Sequence, residues 1–217
     1  MDTNFVQPLF AMPFGVVGLG EAAALNSELA SFFNAHAAAD AARQNPLRYQ
    51  SAVDLLLWPD PKVRSLATQM FRGVHSVVSS VNQFSEERWN SMSVEGLGWF
   101  TIVRPNGRVP ATSYPLTSWC AVYCVAAPEP STERHDSGAL RLFEPRPTTM
   151  FQDASNSLLV PQYASGHSSW QPVPGQMAVF PASLTHEVGL IRAAGDLILV
   201  TLRVRYRAPG QTGMTQW

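Results

Sequence analysis

The chain has 217 residues, 46% of them hydrophobic and 14% charged, with a formal net charge of −1. That balance describes a folded domain with a sizeable core and gives no basic footprint for nucleic acid or anionic lipid. No apolar run approaches the ~20 residues of a membrane helix, and no basic segment precedes an apolar core at the N-terminus, so neither a span nor a secretory leader is expected.

Phe5 to Val17 mixes Phe, Val, Leu and Pro and reads as an opening edge strand. Glu21 to Ala39 reads as a helix with Leu25, Leu29, Phe32, Phe33 and His36 on one stripe. Gln44 to Gln50 reads as a polar connection, and Ala52 to Trp58 as a short apolar segment. A second helix has clear start chemistry, with Asp60 as N-cap and Pro61 at its first position. Its apolar stripe is Val63, Leu66, Met70, Val74, Val77 and Val81. Both helices are expected to lie across the outside of a sheet.

From Gly96 onward the period becomes extended. Strands are expected at Gly98–Arg104, Ser118–Val125, Ala139–Phe143, Ser169–Val173, Gln176–Phe180, Thr185–Leu190 and Asp196–Tyr206. Pro105-Asn106-Gly107, Ala127-Pro128-Glu129-Pro130 and Pro174-Gly175 supply turns between them. Short strands after a helical preface predict a mainly β jelly roll flanked by two helices. One domain is expected over 1–217: a strand and supporting helices at 1–95, the jelly-roll core at 96–207 and a loose tail at 208–217. Cys120 and Cys124 share a strand face roughly 13 Å apart, too far to bridge, which favours a reducing, cytoplasmic compartment. No companion histidine gives them a zinc spacing, and neither a phosphate-binding glycine loop nor a nucleophile elbow is present.

Three runs carry a family resemblance. Ser118-Trp119-Cys120-Ala121-Val122-Tyr123-Cys124-Val125 resembles the strand "S-G-V-Y-Y-V" of the small iron(II)/2-oxoglutarate-dependent oxygenases. Ser137-Gly138-Ala139-Leu140-Arg141-Leu142-Phe143-Glu144-Pro145-Arg146 resembles their "S-G-x-L-x-F-x-D-P-R". The run from Pro174 to Val188, with Phe180-Pro181 and His186, resembles "P-x-x-G-x-L-V-L-F-P-S-W-L-x-H-x-V", and Pro8 to Pro13 is similar to the family's start. The resemblance implies a double-stranded β-helix, cupin-like, that holds Fe(II) with two histidines and a carboxylate and binds 2-oxoglutarate.

The ligand slots of that family fall here on Thr112 and Tyr114, followed by a matching Pro115, and only the third ligand, His186, is kept. The slot of the cosubstrate-binding arginine, about eleven residues beyond the histidine, holds Leu197. Arg203 shares that strand parity roughly 20 Å further on, so Arg192 on the intervening turn is the nearer substitute. His135-Asp136 is adjacent rather than H-x-D and reads as a solvated loop before it reads as a ligand pair. His167 reads as a residue of a flexible lid, and Glu144 as a structural partner of Arg146.

Three readings follow. In the first, His186, Tyr114 and Thr112 carry out metal-independent acid/base chemistry (isomerisation, cyclisation, elimination or dehydration) on a small molecule, with Arg192, Arg141, Tyr123 and Arg203 as substrate contacts. This reading needs no cofactor and suits a biosynthetic pathway. In the second, the protein is a Fe(II)/2-oxoglutarate hydroxylase with atypical ligands, His186 among them. In the third it is a non-catalytic partner of an active oxygenase, in a heterodimer; a homodimer is the other assembly considered.

Overall fold

Period-two alternation in the second half of the chain builds two antiparallel sheets, and the N-terminal helices cover the outer face of the larger. The computed structural model describes residues 11–20, 22–43, 45–129, 136–145, 158–160, 163–164 and 166–210. The large sheet has six strands in the order β1 (Gly15–Gly18), β8 (Gln176–Pro181), β5 (Trp119–Ala126), β10 (Leu197–Arg207), β3 (Ser93–Val103) and β2 (Arg48–Gln50). The small sheet has four, in the order β4 (Val109–Thr112), β9 (His186–Val188), β6 (Leu140–Phe143) and β7 (His167–Trp170). This is a jelly roll, as the motifs implied. β3 begins before residue 96, so it runs through the junction expected between the N-terminal part and the barrel.

Two cores share the large sheet. On its outer face Phe100, Ile102, Tyr123, Val179, Ile198, Val200 and Leu202 pack against the helices α1 (Ala22–Ala39) and α2 (Pro61–Ser80). On its inner face Val103, Cys120, Val122, Phe180, Leu197 and Leu199 meet Leu140, Leu142 and Val188 of the small sheet. Both cysteines are free thiols buried in that inner core. Among the described residues no helix is long and apolar enough to cross a membrane.

The start of α2 is as expected: the Asp60 carboxylate accepts from the backbone N–H groups of Lys62 at 2.8 Å and Val63 at 3.3 Å, with Pro61 at the first position. Its stripe ends earlier than the sequence indicates, because Ser80 is the last helical residue and Val81 is an exposed cap. The stripe of α1 is centred on Asn26, Leu29, Phe33 and Ala37, with Leu25, Phe32 and His36 half-buried beside it. Hydrophobicity alone misses this rotation, because Asn26 goes inward to accept the Tyr123 hydroxyl at 2.6 Å.

Other elements differ too. The opening strand starts at Gly15, after the donor-less Pro13, and Phe5 to Phe10 lie outside the described residues. The polar connection Gln44–Gln50 contains β2, in which Tyr49 alone turns inward, opposite Ile102; Gln44 itself is outside the described residues. A five-residue helix α3 (Glu86–Asn90), capped by Ser85, and the strand β4 were not anticipated. β7 comes earlier than expected, so His167 lies in a strand paired with β6 rather than in a lid. His135, Arg146 and the tail from residue 211 lie outside the described residues.

The connection from β3 to β4 fixes where the site is built. Asn106 adopts φ 64°, and its N–H donates to the Ile191 carbonyl at 2.8 Å. Gly107 accepts from Ile191 N–H at 2.9 Å, so this turn is tied to the loop leading into β10. A Cβ at Gly107 would stand 2.1 Å from the Leu47 carbonyl oxygen, a clash with backbone that no rotamer relieves. Gly107→Ala is therefore expected to destabilise the protein by about 1–3 kcal/mol, read as a lower urea midpoint at unchanged slope.

Candidate functional site

The register of the small sheet brings the three sequence-selected residues together. Thr112 closes β4 and His186 opens β9, and the two are Cα partners, with Leu142 of β6 on the other side of His186. Two residues beyond β4, Tyr114 donates its backbone N–H to the Ala182 carbonyl at 2.7 Å. This returns the chain toward the Pro181-Ala182 loop and leaves the phenol ring 5.5 Å from the imidazole. Phe180 sets its ring 4.9 Å from the imidazole in an edge contact, and Trp99 meets Tyr114 edge-on at 5.6 Å.

His186 is 5% exposed. Its Nδ1 is 2.9 Å from the Leu184 carbonyl oxygen. A carbonyl oxygen can only accept, so Nδ1 carries the hydrogen and Nε2 is the basic nitrogen of the neutral ring. Burial holds the imidazolium form below its ordinary range, with the Leu184 carbonyl pulling the other way. The Tyr114 phenol is pushed up to about 12, chiefly by burial, and is neutral near pH 7; the Arg203 guanidinium and the Thr112 hydroxyl act in the opposite sense.

Arg203 reaches this group from the large sheet. Its Cζ lies 4.6 Å from the centre of the Tyr114 ring. Its Nε and Nη2 both donate to Thr117 Oγ1, at 3.1 and 2.7 Å. A guanidinium over a phenol face is a cation–π arrangement, favoured further where water is partly excluded. Arg203 is opposite Cys120, which in turn is opposite Phe180, so one row of the inner face lines the site. Burial raises the Cys120 thiol to about 12 and keeps it protonated.

The other candidates stand apart. Tyr123 points to the helix side, fully buried, with its hydroxyl on Asn26. Arg141 alternates away from the inward Leu140 and Leu142, and its Nη1 and Nη2 meet Glu187 Oε1 at 3.1 Å and Asp136 Oδ2 at 2.6 Å. The Arg192 residue is exposed on the turn after β9, where its backbone N–H donates to Ser137 Oγ at 2.8 Å. Of the four proposed substrate contacts, then, Arg203 is the one beside Tyr114. Thr117, Trp99, Cys120 and Phe180 were not singled out as site residues; for Cys120 and Phe180 the cross-strand row with Arg203 was the available signal. Leu197, at the slot of the cosubstrate arginine, is 1% exposed in the inner apolar core. Among the described residues no group of three or more His, Cys, Asp or Glu side chains is placed to hold a metal ion.

No family model matches the sequence, and no curated protein is similar to it at a significant level. Solved structures are similar in fold. A prolyl-4-hydroxylase from Pseudomonas putida superposes with a TM-score of 0.54 at 18% identity, covering 91% of this chain and 94% of that one. HygX from Streptomyces hygroscopicus, solved with nickel and 2-oxoglutarate bound, gives 0.58 at 13% identity, covering 92% and 84%. SnoN, a non-heme alpha ketoglutarate-dependent epimerase from nogalamycin biosynthesis, gives 0.61 at 12% identity, covering 92% and 82%. At such identities the likeness shows the fold alone: the chain has a double-stranded β-helix, as its motifs implied.

The depressed basicity of His186 has a pH signature. Below the unfolded value near ~6.5 the unfolded chain binds a proton that the folded imidazole resists. The His186 contribution is therefore complete above that pH and is lost as pH falls through the folded value. Urea denaturation between pH 7.5 and 5 should show stability declining toward acid, with a shallower decline in His186→Gln.

Proposed function

We propose that the end of the sandwich around His186 carries out metal-independent proton transfer on a small molecule. The observation that carries the reading is the joint placement of Thr112 opposite His186 with the Tyr114 ring 5.5 Å from the imidazole. A neutral imidazole with its hydrogen fixed on Nδ1 offers Nε2 as a general base. A phenol kept neutral by burial can donate to an oxygen that gains charge as the proton leaves, and Arg203 above the ring stabilises the charge shifted onto it. Thr112 positions a carbonyl or a water by hydrogen bonding. Isomerisation, cyclisation, elimination and dehydration all need this pairing of base and oxygen donor.

The described donor set does not fit iron(II). A single imidazole would be joined by a threonine hydroxyl and a phenol that remains protonated, where the metal prefers imidazole and carboxylate. The Arg203 cation beside Tyr114 adds repulsion for a dication. Leu197 likewise brings no charge for a 2-oxoglutarate carboxylate. No cofactor is therefore part of this reading.

A second reading is favoured by the burial of His186 against Phe180: a site closed by its own side chains, in a non-catalytic partner of an active oxygenase. Metal analysis of protein purified without chelator, followed by calorimetric titration of 2-oxoglutarate with and without Fe(II), tests the exclusion of the oxidative chemistry. Neither iron nor iron-dependent binding is expected; 2-oxoglutarate binding that requires Fe(II) and disappears in His186→Ala would overturn the proposal. Against small carbonyl compounds in D2O, exchange of carbon-bound hydrogen by chelator-treated protein should fall about 100-fold or more in His186→Ala and in Tyr114→Phe. A scaffold would show no such exchange in any variant.

A further inference from the structure

Most polar side chains buried in this protein find a partner within it. Asn26 accepts the Tyr123 hydroxyl, Ser51 Oγ accepts from Phe100 N–H, Ser137 Oγ accepts from Arg192 N–H, and Thr117 Oγ1 accepts from Arg203. Four groups differ. Trp99, Thr101, Thr201 and His186 are only 5, 4, 8 and 5% exposed. Yet Trp99 Nε1, Thr101 Oγ1, Thr201 Oγ1 and His186 Nε2 make no hydrogen bond among the described residues. Nor, among those residues, is any of the four a side-chain atom sealed from solvent without a partner, so each borders space that a water or a ligand atom can enter. The four are neighbours. Trp99 of β3 is opposite Thr201 of β10, and Thr101 follows two residues along β3 on the same face. The Tyr114 ring joins this patch to the imidazole, 5.6 Å from the Trp99 ring and 5.5 Å from that of His186.

We infer that these four groups line a binding site for an uncharged small molecule with a carbonyl and a hydroxyl group, its carbonyl oxygen received by the Trp99 indole N–H. A buried polar group without a protein partner is satisfied by water or by a ligand. The pattern of donors and acceptors selects the ligand class. The indole only donates, the threonine hydroxyls donate and accept, and His186 Nε2 only accepts while Nδ1 holds the hydrogen. A carboxylate has no hydrogen to give Nε2, and an indole and two threonine hydroxyls carry no charge to replace its lost hydration. A hydroxy-carbonyl compound can satisfy all four. The inference deepens the proton-transfer reading by naming its substrate class; it rests on that reading for the fate of the ligand, but not for binding. Held by Trp99, the carbonyl would stand beside the Tyr114 phenol, the oxygen donor of that reading.

Calorimetry on the full chain with dihydroxyacetone, and separately with glycerate as its charged counterpart, tests this. Dihydroxyacetone should bind saturably and more tightly than glycerate, and should shift the indole N–H resonance that is missing in Trp99→Phe. That variant keeps a ring and loses the donor, so it should weaken binding ~3–10-fold, the scale of a neutral hydrogen bond. Thr201→Val, nearly the same in shape, should weaken it comparably and serves alone if Trp99→Phe lacks a cooperative thermal transition. Absence of saturable dihydroxyacetone binding means that ordered water satisfies the four groups, and overturns the inference. Tighter binding of glycerate overturns it too, as does affinity unchanged in both variants. Variant-sensitive binding by a protein that exchanges no carbon-bound hydrogen would leave this inference standing and remove the catalytic one. Exchange lost in His186→Ala but untouched in Trp99→Phe and Thr201→Val would do the reverse.

Discussion

Strand β10 serves two cores with alternate residues, and its register against β3 and β5 decides both. Ile198, Val200, Leu202 and Val204 face the helices, while Leu197, Leu199, Thr201 and Arg203 face the small sheet. A slip of one residue would send Arg203 among the helix-side aromatics and bring Leu202 opposite Tyr114. Long pairing on both flanks opposes that slip, since every misplaced side chain would lose its burial together. The site is thus a consequence of sheet register before it is one of local chemistry.

Much of this was legible from the sequence because it was written locally. Asp60-Pro61 marks a helix start through its own hydrogen-bonding chemistry, and the period change after Gly96 marks the passage to strands. The tie between Thr112, Tyr114 and His186 was legible only through motif resemblance, since residues 112 and 186 meet by pairing of β4 with β9. What stayed hidden depends on neighbours. Arg48-Tyr49-Gln50 looks like a connection because an edge strand needs a single inward side chain, here Tyr49 opposite Ile102. Asn26 looks like a surface residue until Tyr123 supplies its partner.

Arg203 shows how little a distance along one strand says about nearness to the site. Six residues of strand do separate it from Leu197, about 20 Å along the sheet. Tyr114, however, leaves β4, turns at Ala182 and comes to the Arg203 end of β10. Arg192, nearer in sequence to His186, is carried past the other end of β9 and left exposed. Distance along one strand says nothing about which end of the sandwich a second strand visits.

The chemistry of the site follows from where charge is allowed to persist. Burial disfavours charge on His186, Tyr114 and Cys120 alike, and each is neutral near pH 7. Burial acts on Arg203 in the same direction, but a guanidinium starts so far above neutrality that it remains a cation. Arg203 thus keeps its positive charge beside an imidazole, a phenol and a thiol that are all neutral. A guanidinium over the phenol face disfavours a second cation there, so the same geometry that keeps Tyr114 beside Arg203 weakens the case for iron.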